Sequence, residues 1–208
     1  DVIQTKLGHL FSWDNGPNSF WGGAPINEGF GTATNEQTGT GGTVYNFDGL
    51  HYIDTAGYYA GHPNPIRSNP DSAGLLVDGL FLTQYDAMNT NQSLPYDWPP
   101  VDSSLRDPQQ GIYLPATQPG DVSLVTVGQS TNGMAEYTAT NFDSVMTGDI
   151  IAVGFSNTVW RAYVDSTGTG CDSVDALFTG PTNMLDILCQ GDDDPFPGTI
   201  WIARHISS

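Results

Sequence analysis

Lysine is almost missing from this chain. Lys6 is the only one, and with Arg67, Arg106, Arg161 and Arg204 it makes five basic residues against 23 acids, a net charge of −18. Nucleic-acid binding needs clustered cations to displace phosphate counterions, so five scattered ones exclude it. The same field repels anionic lipid surfaces and attracts divalent cations. Glutamate is scarce too, occurring only at Glu28, Glu36 and Glu136, with every other acid an aspartate. Glutamate favours helices, whereas aspartate favours caps, turns and oxygen-ligand loops. The skew argues against a helical protein. It also argues against halophilic adaptation as the main cause of the acidity, since that would enrich glutamate as well.

Charged residues amount to 13%, about half the usual share. Solubility therefore rests on Asn, Thr, Ser, Gly and Asp. No apolar run approaches the roughly 20 residues of a spanning helix, so membrane insertion by helices is excluded. No fixed-length repeat is visible, which excludes a solenoid. Disorder is excluded by what is present: 38% hydrophobic and 11% aromatic residues in 208, enough for a core in one domain.

The cysteines number only two, Cys171 and Cys189, with 17 residues between them. A disulfide closing such a loop would stabilise the fold by roughly 3 kcal/mol in the chain-entropy model. The composition is that of an extracellular protein, so the pair is expected to be oxidised rather than buried as free thiols. Starting at Asp1 rather than Met, the chain reads as an exported one whose signal peptide has been removed. Asn91-Gln92-Ser93 is a single glycosylation triplet, close to chance.

Helix signals are few. Residues 1–70 are rich in Gly, Asn, Thr and aromatics, and Gly39-Thr40-Gly41-Gly42 marks a loop. Asp48-Gly49, between Val44–Phe47 and His51–Ile53, is a hairpin signal, as is Asp78-Gly79 between Leu75–Val77 and Leu80–Leu82. The second stretch also reads as one buried strand with a bulge. Six prolines across 89–120 predict an extended loop packed over the domain, with a linker between two small domains as the alternative.

Further on, Val122–Val127 reads as a strand and 129–133 as a turn. Ala135, Tyr137 and Ala139 then alternate with polar residues at a period of two. Ile150–Phe155 is a continuous apolar run, Ser156-Asn157 a tight turn, Val159–Val164 the returning strand and Thr199–Ile206 the last. The expected fold is all-β, an antiparallel β-sandwich of jelly-roll or immunoglobulin-like type in a single domain, 1–208. Short helical turns are allowed at most around 172–188, where Pro181 precedes Met184–Leu188.

Candidate sites follow from residue type. Asp192, Asp193 and Asp194 lie in a Gly/Pro-bounded turn where three carboxylates repel one another unless a cation is present. With Asp172, Asp175 and Asp165 near the first cysteine, they offer the oxygen donors that calcium takes, although no helix-loop-helix calcium motif is present. A solvated acidic loop explains them equally well. His51, His62 and Asp54 offer a weaker copper or zinc set, against which stand ordinary hydrogen-bonded histidines. Trp13, Trp21, Tyr52 with Asp54, and Trp98 beside Tyr96-Asp97 combine aromatic platforms with carboxylates, as glycan binding or cleavage requires; core filling is the simpler reading. No Gly-x-Ser-x-Gly elbow and no other catalytic signature is found, so the chain reads as a non-enzyme.

The expected function is that of an exported structural subunit. It would self-assemble with copies of itself into an extracellular filament, sheath or surface layer, with cation-stabilised Asp-rich loops. Strand addition by residues 1–11 is one route to assembly, against an ordinary first strand paired in its own domain. The alternative is a secreted domain that binds or acts on polysaccharide. A third, weaker one is an accessory subunit of a larger secreted or viral particle.

Overall fold

The computed structural model describes residues 1–15, 47–60, 117, 120–128 and 130–206, and the backbone of 74–77 and 80–83. The chain divides into two compact units, one of Asp1–Gly16, Phe47–Tyr58 and Ser123–Ser208, the other of Pro17–Asn46 and Tyr59–Val122. The second unit is thus drawn from the two stretches on either side of 47–58, and most of the proline-rich 89–120 segment lies outside the described residues.

The first unit is antiparallel β throughout, the all-β sandwich-like architecture expected. One sheet has the order β1-β2-β3-β6, from Val2–Gln4, Leu10–Asp14, Asp48–Ile53 and Val125–Val127. A second has the order β10-β9-β8-β7, from Cys171–Thr179, Thr158–Val164, Ile150–Gly154 and Thr131–Glu136. A third is the hairpin of β11, Met184–Cys189, and β12, Ile200–Arg204. In the other unit β4, Gly74–Val77, and β5, Leu80–Thr83, pair with Val77 opposite Leu80, as the Asp78-Gly79 hairpin signal predicts. Among the described residues the only helical element is a 3-10 turn, Phe142–Ser144, and no helix is long and apolar enough to cross a membrane.

The β7–β10 sheet is a middle layer with a core on each face. Met134, Ile150, Ala152 and Ala162 pack with Phe11, Trp13 and Leu50 of the first sheet. Their neighbours Ile151, Val153 and Val159 pack with Tyr137, Met184 and Ile187 on the opposite side. This explains why Ile150–Gly154 is apolar without alternation: every residue of β8 is buried. Alternation does govern the stretch after β7. The ladder stops at Glu136, yet Tyr137 and Ala139 are fully buried in the same cluster as Ala135. Burying a side chain such as Phe11 or Ile151 contributes about 1.5–3 kcal/mol.

Three local expectations are corrected. Asp48-Gly49 is no hairpin but lies inside β3. Asp48 is fully buried, with its carboxylate accepting the Thr131 amide, and a Cβ on Gly49 would come within 2.8 Å of Ser123 Cβ. The pair opens a strand, with Gly49 closely approached by the segment that leads into β6, rather than making a reversal. The allowed helical turn near 184–188 is strand, because a bulge between Met184 and Asp186 gives the buried residues Met184 and Ile187 a helix-like spacing.

Third, Cys171 and Cys189 form no disulfide. Cys171 packs into the cluster on one side of the middle sheet and Cys189 into the cluster on the other. The oxidised pair expected from an extracellular composition is prevented by the intervening layer. Burial pushes Cys171 up to about 11 and Cys189 up to about 12, from an ordinary 9.0. Both thiols are therefore weak nucleophiles. From thiolate fraction alone, alkylation at pH 8 is expected to be about 100-fold slower at Cys171 and about 1,000-fold slower at Cys189 in the native chain than after denaturation. Mass spectrometry of labelled protein, without reductant, checks this; a chain that stays unlabelled in denaturant would reinstate the disulfide.

Residues 1–11 are engaged within the chain. Val2, Ile3 and Gln4 pair with Ser12, Phe11 and Leu10, while an Asp1 carboxylate oxygen accepts the Met134 amide at 3.1 Å. Phe11 itself is core.

Candidate functional site

The acidic candidates are dispersed. Asp192, Asp193 and Asp194 are exposed in the β11–β12 turn, where Asp192 accepts the Thr140 amide at 2.9 Å and Asp194 accepts the Gly191 amide at 2.7 Å. Asp172 and Asp175 are exposed on β10. Asp165 caps the β9–β10 loop: its carboxylate accepts from the Thr167 hydroxyl at 2.6 Å and the Thr167 amide at 2.9 Å. The Thr167 hydroxyl is the chief reason the Asp165 carboxyl lies below its ordinary range. Among the described residues no three His, Cys, Asp or Glu side chains converge as metal ligands.

His51 is buried on β3 and shares a 2.9 Å hydrogen bond with the Tyr58 hydroxyl, while Asp54 is exposed and His62 lies outside the described residues. The aromatic candidates fare similarly. Trp13 is 1% exposed, so it is core and offers no face to a sugar; its outward-looking neighbours on β2 are Ser12 and Asp14. Tyr52 leans on Phe11 at 5.4 Å and shares a hydrogen bond with His9. Trp21, Tyr96, Asp97 and Trp98 lie outside the described residues.

A cleft of about 260 Å³ does hold two carboxylates, Glu136 and Asp165, among Thr5, Leu7, Thr147 and Val164. Both have structural tasks, since Glu136 accepts the Lys6 amide at 2.6 Å.

Among the described residues, the outer face of the β11–β12 hairpin groups exposed large apolar side chains on a regular sheet. Ile187, Ile200 and Ile202 point to the core, which turns Leu188 and Trp201 outward as a directly opposed pair. Leu188 is 54% exposed, Trp201 53% and Phe196 55%. The Phe196 and Trp201 rings lie 5.5 Å apart, and the Trp201 indole N–H donates to Thr199 Oγ1 at 2.8 Å, fixing the ring. A shallow groove of about 240 Å³ runs past Asp186, Leu188, Trp201 and Ala203. These residues were not singled out from sequence, although Ile200-Trp201-Ile202-Ala203 carries the signal: a strand apolar on both faces at the rim of a fold needs a second partner. No family model, no curated protein and no solved structure matches this chain.

Proposed function

We propose that the chain is an exported structural subunit that self-assembles into an extracellular filament, sheath or surface layer. The observation that carries this reading is the exposed cluster of Leu188 and Trp201 on a two-stranded sheet with Phe196 of its connecting turn. Contiguous exposed apolar surface marks interaction sites on soluble proteins, and a second copy supplies the matching apolar cluster. Each copy carries −18, so association is opposed by repulsion that calcium at the Asp-rich loops would relieve. Assembly by strand addition through residues 1–11 would require β1 to leave β2 for a neighbouring copy.

Negative-stain microscopy with calcium and then a chelator tests the reading. Filaments or sheets are expected, and Leu188→Ser with Trp201→Ser should abolish them while leaving the melting temperature nearly unchanged. Filaments indifferent to the chelator would remove the calcium part. A uniform 22.3 kDa monomer under both conditions would overturn the proposal. In that case the Phe196–Trp201 pair favours the second reading, polysaccharide binding by stacking, and a glycan pull-down that loses its signal in the same variant would establish it.

A further inference from the structure

We infer that two copies of this chain join edge to edge along β12, antiparallel about a two-fold axis at Ile202. The inference rests on the self-association reading above and gives it one two-fold contact. Being isologous, this contact closes a dimer, and longer assembly would also use the exposed face of Leu188, Trp201 and Phe196. Sheet edges are templates for pairing unless guarded by shortness, bulges or charge. β1 and β6 are edges of three residues each. β10 is long but carries Asp172 and Asp175 and two register shifts, and β7 carries another. β12 is less guarded: it is five residues long, and its one charge is Arg204 at its very end. Among the described residues it pairs with β11 alone, and the bulge in that hairpin puts its extra residue on β11.

The ladder sets which groups face outward. His205 N–H donates to Asn183 and the Thr199 carbonyl accepts from Gln190. Odd-numbered residues therefore bond to β11, and the backbone N–H and C=O of Ile200, Ile202 and Arg204 point away. A two-fold at Ile202 places Ile202 opposite its own copy and Ile200 opposite Arg204, so all three exchange hydrogen bonds. It also sets Trp201 opposite Ala203, a large exposed ring over a small side chain in the closely spaced pair position.

Charge selects the antiparallel arrangement. β12 follows the turn that carries Asp192-Asp193-Asp194, with five residues between Asp194 and Ile200. It ends at Arg204, with His205 next in the chain, and all five of these charged or titratable residues are exposed. Antiparallel pairing carries the basic end of each copy toward the acidic turn of the other, twice by symmetry. Parallel pairing would set acid against acid.

The test is a charge swap read by sedimentation equilibrium. Asp193 is the residue to use, because Asp192 and Asp194 accept backbone N–H groups. Arg204→Glu and Asp193→Lys alone are each expected to weaken the dimer about tenfold, and together to restore it within about threefold. Both positions are exposed, so melting temperatures should hold in all three variants. Dimers indifferent to the single variants, or not restored by the double, would overturn this interface and leave self-association standing. A wild-type chain that remains monomeric would overturn both.

Discussion

Gly133→Ala is expected to cost at least about 3 kcal/mol of stability, the upper end of what overpacking usually costs. Gly133 lies just past a bulge in β7, where the strand runs against β11. An added Cβ would sit 2.5 Å from the Asp186 Cα and 3.0 Å from the Ile187 amide nitrogen. The obstruction is backbone, so no rotamer change relieves it, and the two strands must part. Asn132 fixes the same junction by donating its side-chain amide to the Met184 carbonyl at 3.0 Å. The cluster containing Met184 and Ile187 would open with it. Gly128→Ala is the control: no described residue lies within 4 Å of its Cβ, so stability should change by less than about 0.5 kcal/mol. Urea unfolding of the pair checks this, and equal midpoints would refute the close approach of β7 and β11.

The same junction shows where the sequence could be read and where it could not. A fully buried strand announces itself as an unbroken apolar run, as in Ile150–Gly154, and a half-buried segment as alternation, as at Ala135, Tyr137 and Ala139. Those signals depend only on which face each residue meets. Bulges erase them. The extra residue in β11 turns a strand into an apparent helical turn, and the close approach of Ser123 to Gly49 uses a dipeptide that usually marks a reversal. The cysteine pairing failed for a related reason: spacing along the chain says nothing about an intervening layer of sheet.

The candidate surface was less legible than the fold. By residue type every exposed or buried aromatic offers the same sugar platform, yet Trp13 and Trp201 differ in burial, 1% against 53% exposed. Only the pairing of Leu188 with Trp201 reveals that one hairpin has apolar residues on both faces. Acidic residues were equally ambiguous by composition. Asp48, Asp165 and Asp194 each accept backbone amides, and a carboxylate committed to a local amide looks in sequence like one free for a cation.

Asp149→Ala is expected to destabilise the chain by about 3–5 kcal/mol, the cost of stranding a buried charge. Asp149 precedes β8 and is nearly buried, as is Arg161 on β9, with side-chain exposures of 10% and 11%. The Arg161 guanidinium donates to one carboxylate oxygen at 2.6 Å and to the Val145 carbonyl, and lies 4.2 Å over the Tyr163 ring. The other carboxylate oxygen accepts the Val164 amide at 3.0 Å.

Burial raises the Asp149 carboxyl above its ordinary pKa even though Arg161 pulls it down, so desolvation outweighs the pairing. Its proton is thus held more tightly in the folded chain. The contribution to stability is complete below the ordinary carboxyl pKa and is lost as pH rises through the raised value. An ion pair in that condition adds little net stability, yet removing one member is costly. Asp149→Ala combined with Arg161→Met should therefore be more stable than Asp149→Ala alone. It should retain mainly the unpaired Val164 N–H, about 1–3 kcal/mol. Chemical denaturation of the single and double variants decides the matter: losses that simply add would mean that Asp149 and Arg161 act independently and that the buried pair is not what joins β8 to β9.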